Sequence, residues 1–139
     1  MKKKGVIAVT DRELVQKAVE MQEFSYCPYS KFPVGAAILC VDGTVFTGCN
    51  VESAAYGSTI CAERTALLKA VSEGHRDDWV VIAVAGRGED FCWPCGSCRQ
   101  MLYEFAPELR ILAVRGDGSF EEAKLSELLP RGFGAANLK

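Results

Sequence analysis

Two cysteine-containing segments constrain the fold of this chain more than any other feature. The first contains Cys61 and Glu63, and the second contains Cys95 and Cys98. Helix-forming residues follow both segments, so each is expected to open a helix. A helix start gathers unpaired backbone N–H groups and a partial positive charge, which favour thiolates. If these cysteines act together, the fold must bring two helix N-termini to one point.

The spacing of these residues predicts a zinc site of the catalytic kind. Cys95 and Cys98 are three positions apart, so their thiols face the same way on a helix. With Cys61 they provide three thiolates, and zinc suits such a set best. Three protein ligands leave a fourth position for water. Glu63 lies about 200° around the helix from Cys61, so it reaches the metal only if the ion lies beyond the helix end. Arg64 is expected to offset the negative charge of the thiolates.

Other cysteines leave an alternative open. Cys92 continues the spacing of Cys95 and Cys98, and a fourth thiolate would close the zinc site and make it structural. A redox role for the Cys-x-x-Cys pair would leave Cys61 without a purpose. His75 is the only histidine, which removes the usual triads, and it is predicted to be a solvated turn residue. The remaining cysteines are predicted to be small core residues: Cys27, Cys40 and Cys49.

Composition narrows the partners and the location. The chain has 139 residues, a net charge of −2 and a pI of about 5.5, so it lacks the basic surface of a nucleic-acid-binding protein. No apolar run is long enough to span a membrane, and no secretion signal is present, so we expect a cytoplasmic protein. We expect residues 1–139 to form a single domain, with residues 1–10 as a flexible end and residues 130–139 as a tail near the active site.

Hydrophobic patterning predicts nine elements in the order α-β-β-α-β-α-β-β-α. The central strands are apolar on both faces, so helices should cover both sides of the sheet. This predicts an α/β fold, a three-layer α/β/α sandwich. The predicted bounds are, in chain order, 11–25, 34–41, 44–51, 59–71, 79–85, 95–105, 110–114, a short edge strand after Gly118, and 125–129.

Several separated motifs resemble those of the small cytidine deaminases. Cys-Ala-Glu-Arg occupies residues 61–64, and Pro-Cys-x-x-Cys-Arg-Gln occupies residues 94–100. The resemblance covers residues 11–133 and includes segments 29–37, 47–56 and 128–133. It departs at Trp93, where the family more often has a small residue. The resemblance implies a mixed five-stranded sheet, one Zn²⁺ per subunit and a homotetramer in which neighbouring subunits complete each site.

The resemblance also implies a reaction and a set of residue roles. Zinc hydroxide would attack C4 of cytidine or deoxycytidine, Glu63 would shuttle protons, and uridine or deoxyuridine and ammonia would leave. The implied substrate-binding residues are Phe32, Asn50, Glu52, Tyr56, Ala62 and Phe133. Tyr56 and Phe133 would serve a neighbouring subunit. A rival within the family is a deaminase of a nucleoside antibiotic such as blasticidin S. Those relatives tend to lack the Asn-x-Glu pair and the arginine after Cys-Ala-Glu, and both features are present here.

Overall fold

The computed structural model describes residues 9–138, which carry the predicted order of helices and strands. Their helices are α1 (Asp11–Met21), α2 (Ala62–Ser72), α3 (Gly96–Phe105) and α4 (Leu125–Leu128). Their strands are β1 (Gly35–Cys40), β2 (Val45–Cys49), β3 (Trp79–Ala85), β4 (Arg110–Val114) and β5 (Phe120–Lys124). Short 3₁₀ turns occur at Gln22–Phe24, Tyr56–Ser58 and Ala135–Leu138. Helix α1 is therefore shorter than the predicted helix 11–25, because Gln22–Phe24 form a 3₁₀ turn.

The five strands form one mixed sheet in the order β2-β1-β3-β4-β5. Strand β1 pairs antiparallel with both β2 and β3, and β4 pairs antiparallel with β5. Strands β3 and β4 pair in parallel, with α3 in the connection between them. The sheet therefore combines hairpins at its edges with a parallel pair near its centre. This confirms the predicted mixed five-stranded sheet.

Helices cover both faces of the sheet, because alternate residues of each central strand point to opposite sides. On one face, Ile38 and Ile82 pack in a core with residues of α2 and α3. On the other face, Leu39 and Val81 pack against α1, together with Leu14. The two separate cores make three layers, as the apolar strands predict.

Close packing of α1 on β1 depends on Gly35. A Cβ built there would overlap the carbonyl oxygen of Ala18 in α1 and would lie 3.1 Å from the backbone nitrogen of Gln22. We expect Gly35→Ala to lower the free energy of unfolding by about 3 kcal/mol, because backbone atoms cannot yield as a side chain can. Urea denaturation measures the change. The control is Gly88→Ala, whose Cβ meets nothing closer than 3.8 Å. An equal loss in both variants would contradict this account.

The N-terminal end of the chain is described from residue 9 onward. The predicted flexible segment 1–10 lies outside the described residues up to residue 8. Within the described part, Val9 packs against the α1 core and Thr10 caps α1, with reciprocal bonds to Glu13. None of the described helices is both long and apolar enough to cross a membrane.

Candidate active site

Three cysteines meet where α2 and α3 begin. Cys61 is the N-cap of α2, Cys95 is the N-cap of α3, and Cys98 lies in the first turn of α3. Their sulfur atoms lie within 4.8 Å of one another. Cys98 is fully buried, Cys61 is partly buried and Cys95 is exposed, so the cluster has one open side. The structure brings together the three cysteines that spacing alone connected.

The two helix starts favour negative charge at the sulfur cluster. Both N-cap residues have extended backbone angles, and neither side chain accepts a hydrogen bond from the backbone N–H groups of its own helix. The sulfur atoms therefore face the positive ends of two helix dipoles. A hydrogen bond from Cys98, assisted by Arg64, lowers the pKa of Cys61 to about 5. The same bond, together with burial, raises the pKa of Cys98. The thiol pair therefore holds its proton on Cys98 and its negative charge on Cys61.

Glu63 is the buried carboxyl group beside this cluster. Its side chain is among the few buried polar groups of the described residues, with 4% of its surface exposed. Burial raises the pKa of Glu63 to about 7, and the charge of Cys61 acts in the same direction. Sequence reasoning required the metal to lie beyond the helix end for Glu63 to reach it. The position of Cys61 outside α2, as its N-cap, is consistent with that requirement.

Arg64 contacts the cluster as its charge predicts. Its Nη2 donates to the sulfur of Cys61 at 3.6 Å, a distance typical of bonds to sulfur. This bond raises the pKa of Arg64, so the guanidinium stays charged. Three thiolates and one Zn²⁺ carry a net negative charge, and a fixed cation next to one sulfur reduces it. Arg64 therefore brings a positive charge against the sulfur of Cys61.

Cys92 lies outside the cluster of mutually close sulfurs among the described residues. Burial, followed by the charge of Glu63, raises the pKa of Cys92 to about 12, so its thiol stays protonated. Its sulfur lies 3.1 Å from the position that a Cβ on Gly86 would occupy, next to the ring of Phe32. Cys92 and Trp93 both pack against the core that lies between the sheet and helices α2 and α3. A closed four-sulfur site finds no support in this arrangement.

We therefore expect Cys92→Ala to keep its zinc. The sulfur lies outside the three-cysteine cluster, so the variant should bind the same one equivalent of zinc per subunit as the wild type at the cluster. Loss of the packed thiol should cost about 1 kcal/mol of stability. Metal analysis after dialysis and thermal unfolding measure both quantities. Loss of the cluster zinc from a folded Cys92→Ala protein would contradict this expectation and favour a closed site with Cys92 as the fourth ligand.

Asn50 and Glu52 follow β2 and hold the adjacent loop through polar contacts. The Asn50 amide accepts from the backbone nitrogen of Val34 at 3.0 Å and donates to the carbonyl oxygen of Phe32 at 2.9 Å. Glu52 accepts backbone bonds from Tyr29 and Ser30 through Oε1. Hydrogen bonding to Ser30 holds the pKa of Glu52 below its usual range. Each side chain retains one group for a ligand, an N–H of Asn50 and Oε2 of Glu52.

The other candidate substrate residues occupy different environments. Phe32 is 45% exposed, and its ring tip lies 3.2 Å from the Cβ position of Gly86. Ala62 is fully buried at the start of α2. Tyr56 and Phe133 are mostly exposed, at 74% and 57%, and Tyr56 packs edge-on against Tyr29. Tyr56 lines an open cleft of about 340 Å³ together with Glu52. Nothing within the described part of one chain covers the Phe133 side chain enough to bury it.

Two residues that fix the site were missed by sequence reasoning. Arg99 Nε donates to the carbonyl oxygen of Pro94 at 2.6 Å, and its Nη1 donates to that of Leu128 at 2.9 Å. Gln100 Nε2 donates to the carbonyl oxygen of Phe133 at 2.7 Å. These bonds connect the loop before Cys95 and the C-terminal tail to α3. Their position directly after Cys98 was the signal that could have identified them. Both residues lie inside the Pro-Cys-x-x-Cys-Arg-Gln motif, in which only the cysteines were assigned a role.

The donor set fits a zinc ion with an open coordination position. Three sulfur ligands suit zinc, and fewer than four protein ligands is typical of catalytic rather than structural sites. Arg64 beside the sulfurs and buried Glu63 beside the cluster add a charge-balancing group and a proton carrier. A site of this kind on a three-layer α/β/α fold places the chain in the class of zinc-dependent hydrolytic enzymes.

Similarity to known proteins identifies the family of this chain. Residues 8–113 match the model of the "Cytidine and deoxycytidylate deaminase zinc-binding region". A cytidine deaminase of Halalkalibacterium halodurans is 46% identical over 130 residues, which cover 92% of this chain and 98% of that protein. One from Sporosarcina psychrophila is 43% identical, with 91% and 93% covered. The 1.6 Å crystal structure of cytidine deaminase from Burkholderia pseudomallei superposes with a TM-score of 0.87 at 42% identity, covering 89% and 99%. The chain belongs to the cytidine and deoxycytidylate deaminase family, and its cofactor is zinc.

Proposed function

We propose that this protein hydrolyses cytidine and deoxycytidine to uridine and deoxyuridine with release of ammonia. The observation that carries the proposal is the buried carboxyl of Glu63 beside three converging cysteine sulfurs with one open side. The relatives named above are cytidine deaminases at more than 40% identity over most of both chains. We further propose that residues 1–139 act as one domain in the cytoplasm, where reducing conditions keep the site thiols free.

Cys61, Cys95 and Cys98 would hold the zinc. When bound, the metal supplies Lewis-acid activation of water near neutral pH. The buried Cys98 and the helix starts fix the sulfur positions before the metal arrives. Arg64 keeps the sulfur charge partly neutralised through its bond to Cys61. Together, these residues would hold the ion at the ends of the two helices, with its remaining position toward the exposed side.

Glu63 would carry every proton that the reaction moves. It accepts a proton from the attacking water and delivers it to N3 of the base. It then accepts the proton of the new hydroxyl group on C4 and delivers it to the departing amino group, so that C4 becomes a carbonyl. The balance is one water consumed and one ammonia released for each base. A carboxyl group with 4% of its surface exposed performs this transfer without exchanging protons with bulk water.

The sugar would bind at the loop after β2. The Asn50 amide is held in place by its bonds to Phe32 and Val34, so its free N–H has a fixed direction. Oε2 of Glu52 can accept from a sugar hydroxyl, since Oε1 takes the backbone bonds. The exposed face of Phe32 lies near Cys92 and provides an apolar surface for the nucleoside. Ala62, at the first position of α2, lies next to the metal end and would contact the base.

We propose a homotetramer in which Tyr56 and Phe133 complete the site of a neighbouring subunit. The support is a set of large aromatic side chains exposed in one chain, with Phe24 at 69%, Tyr26 at 56% and Tyr56 at 74%. Clusters of exposed apolar residues of this kind are typical of subunit interfaces. Sedimentation equilibrium measures the assembly. A monomer with full activity would contradict the tetramer and leave the chemistry of the site unaffected.

The test of the activity uses the purified protein with three substrates. The absorbance change of the base and the release of ammonia should agree for cytidine and for deoxycytidine. Blasticidin S should react at least about tenfold more slowly, because Asn50 and Glu52 would bind the hydroxyl groups of a ribose or deoxyribose sugar. Removal of zinc by a chelator should abolish both signals, and zinc should restore them. A zinc-loaded protein that acts on neither nucleoside would end the proposal.

A further inference from the structure

A second group of metal-ligating side chains lies at the other end of β3. Cys40 ends β1, and His75 and Asp78 lie in the turn between α2 and β3. One ligand atom from each lies within 4.8 Å of the others, a limit that the sulfur atoms of the three-cysteine cluster also meet. The loop to Cys92 and Cys95 leaves the opposite end of β3, so about 20 Å of strand separates the two groups. This group therefore belongs to no part of the site described above.

The backbone holds these three residues in fixed positions. The backbone nitrogen of Val41 donates to the carbonyl oxygen of Asp78 at 2.8 Å. The indole nitrogen of Trp79 donates to the carbonyl oxygen of His75 at 2.9 Å. The backbone nitrogen of His75 donates to Ala70 in the last turns of α2. These bonds join the turn to the end of β1 and to α2, and ligands held in this way bind an ion with a smaller loss of chain entropy.

His75 is not the solvated turn residue that the sequence predicts. Its side chain is only 23% exposed, and its ring packs on Phe46 at 5.2 Å between centroids. Nδ1 lies 2.7 Å from Oδ2 of Asp78, and Nε2 lies 3.9 Å from Oδ2 of Asp42. The ring is therefore positioned between two carboxylates. The local sequence of charged residues hid this contact because Asp42 and Phe46 come from a distant hairpin.

The negative groups around the ring have no other cation. Among the described residues, no lysine or arginine forms an ion pair with Asp42 or Asp78. Oδ1 of Asp78 is buried and has no hydrogen-bond partner in that part of the chain. A buried acceptor without a partner is costly, and such groups call for an explanation such as a bound ion. Cys40 is fully buried, so its thiol cannot attack a substrate, but it can face an ion inside the cluster.

We propose that Cys40, His75 and Asp78 form a second binding site for a divalent transition-metal ion, with zinc as the best fit. Sulfur, imidazole nitrogen and carboxylate oxygen are together the ligands that zinc prefers. Around a tetrahedral zinc such atoms lie roughly 3.3 to 3.8 Å apart. The bond between His75 and Asp78 would open by about half an ångström to reach this spacing. The Asp42 side chain, at 56% exposed, lies beside the site, with its Oδ2 3.9 Å from Nε2 of His75.

The experiment counts the zinc ions of the full-length protein. Protein saturated with zinc and dialysed against metal-free buffer should contain two equivalents per subunit. His75→Gln should contain one equivalent and keep its activity on cytidine within about twofold, because the three-cysteine site is distant. Cobalt substitution gives a second measurement, in which the thiolate absorption band of the second equivalent should disappear in Cys40→Ala.

The matched control is Asp77→Asn, which changes the exposed carboxylate next to Asp78 and should keep two equivalents. Asp78→Asn keeps the side-chain shape and should lose the second equivalent, so it replaces His75→Gln if that variant unfolds. One equivalent in the wild-type protein would overturn the proposal without any variant. Two equivalents in folded Asp78→Asn or His75→Gln would overturn it as well.

Discussion

Glu63→Gln should lower kcat for cytidine by about 10³-fold while zinc stays bound. Glutamine has nearly the shape of glutamate, so it fills the same buried space at the start of α2. It cannot accept a proton from water or return one to the base, and no other acidic residue among the described residues is buried as a whole. The residual rate should come from the metal and from substrate positioning alone. Steady-state kinetics and metal analysis measure the two quantities on the same sample.

The matched control is Glu73→Gln at the end of the same helix. Glu73 is exposed and caps the far end of α2, so the same chemical change there should leave kcat within about twofold. Cytidine binding should persist in Glu63→Gln, with KM changed much less than kcat. A Glu63→Gln protein that retains more than about a tenth of the activity would remove Glu63 from the reaction.

Cys98→Ala should lose the cluster zinc and the activity together. Cys98 is the fully buried member of the cluster, so no water or alternative side chain can take its place without opening the core. Two sulfurs, one of them on exposed Cys95, hold zinc far more weakly than three. The protein should also melt at a lower temperature, because a metal that binds only the folded chain stabilises it. Metal analysis, activity and thermal unfolding measure these three effects.

Cys49→Ala is the control for the loss of a thiol. Cys49 lies at the end of β2 and its sulfur donates to the carbonyl oxygen of Phe24 at 3.4 Å, outside the cluster. This variant should keep its zinc and most of its activity. A folded Cys98→Ala protein with its full zinc content and activity would contradict the assigned ligand set.

Much of the site could be predicted because its determinants are local in sequence. Cys61 and Glu63 lie two residues apart, and Cys95 and Cys98 lie three apart, so helix geometry fixes each pair by itself. The apolar strands likewise indicated a sheet covered on both faces. The correction concerns detail: Cys61 and Cys95 cap their helices instead of lying inside them. Thiols at the very ends of two helices meet more readily than thiols on their sides.

The features that escaped prediction depend on contacts between distant segments. The amide of Asn50 bonds to Phe32 and Val34, which shows that the proposed sugar-binding residue also holds the preceding loop. No local pattern reports such a double role. His75 came to lie against Phe46 and Asp42 because the β1–β2 turn folds over the end of α2. Gly35 similarly has a role that only the approach of α1 reveals.

The uncapped starts of α2 and α3 link the metal to the dynamics of the chain. Most helices close their first turn with a side chain, as Thr10 does for α1, but Cys61 and Cys95 close nothing. We therefore expect the order of the first-turn amides of these two helices to depend on zinc binding at the sulfur cluster. Amide hydrogen exchange in these turns should report zinc occupancy directly, while the first turn of α1 should be indifferent to it. The exchange rates of the amides at these two helix ends would therefore measure how much of the site contains zinc.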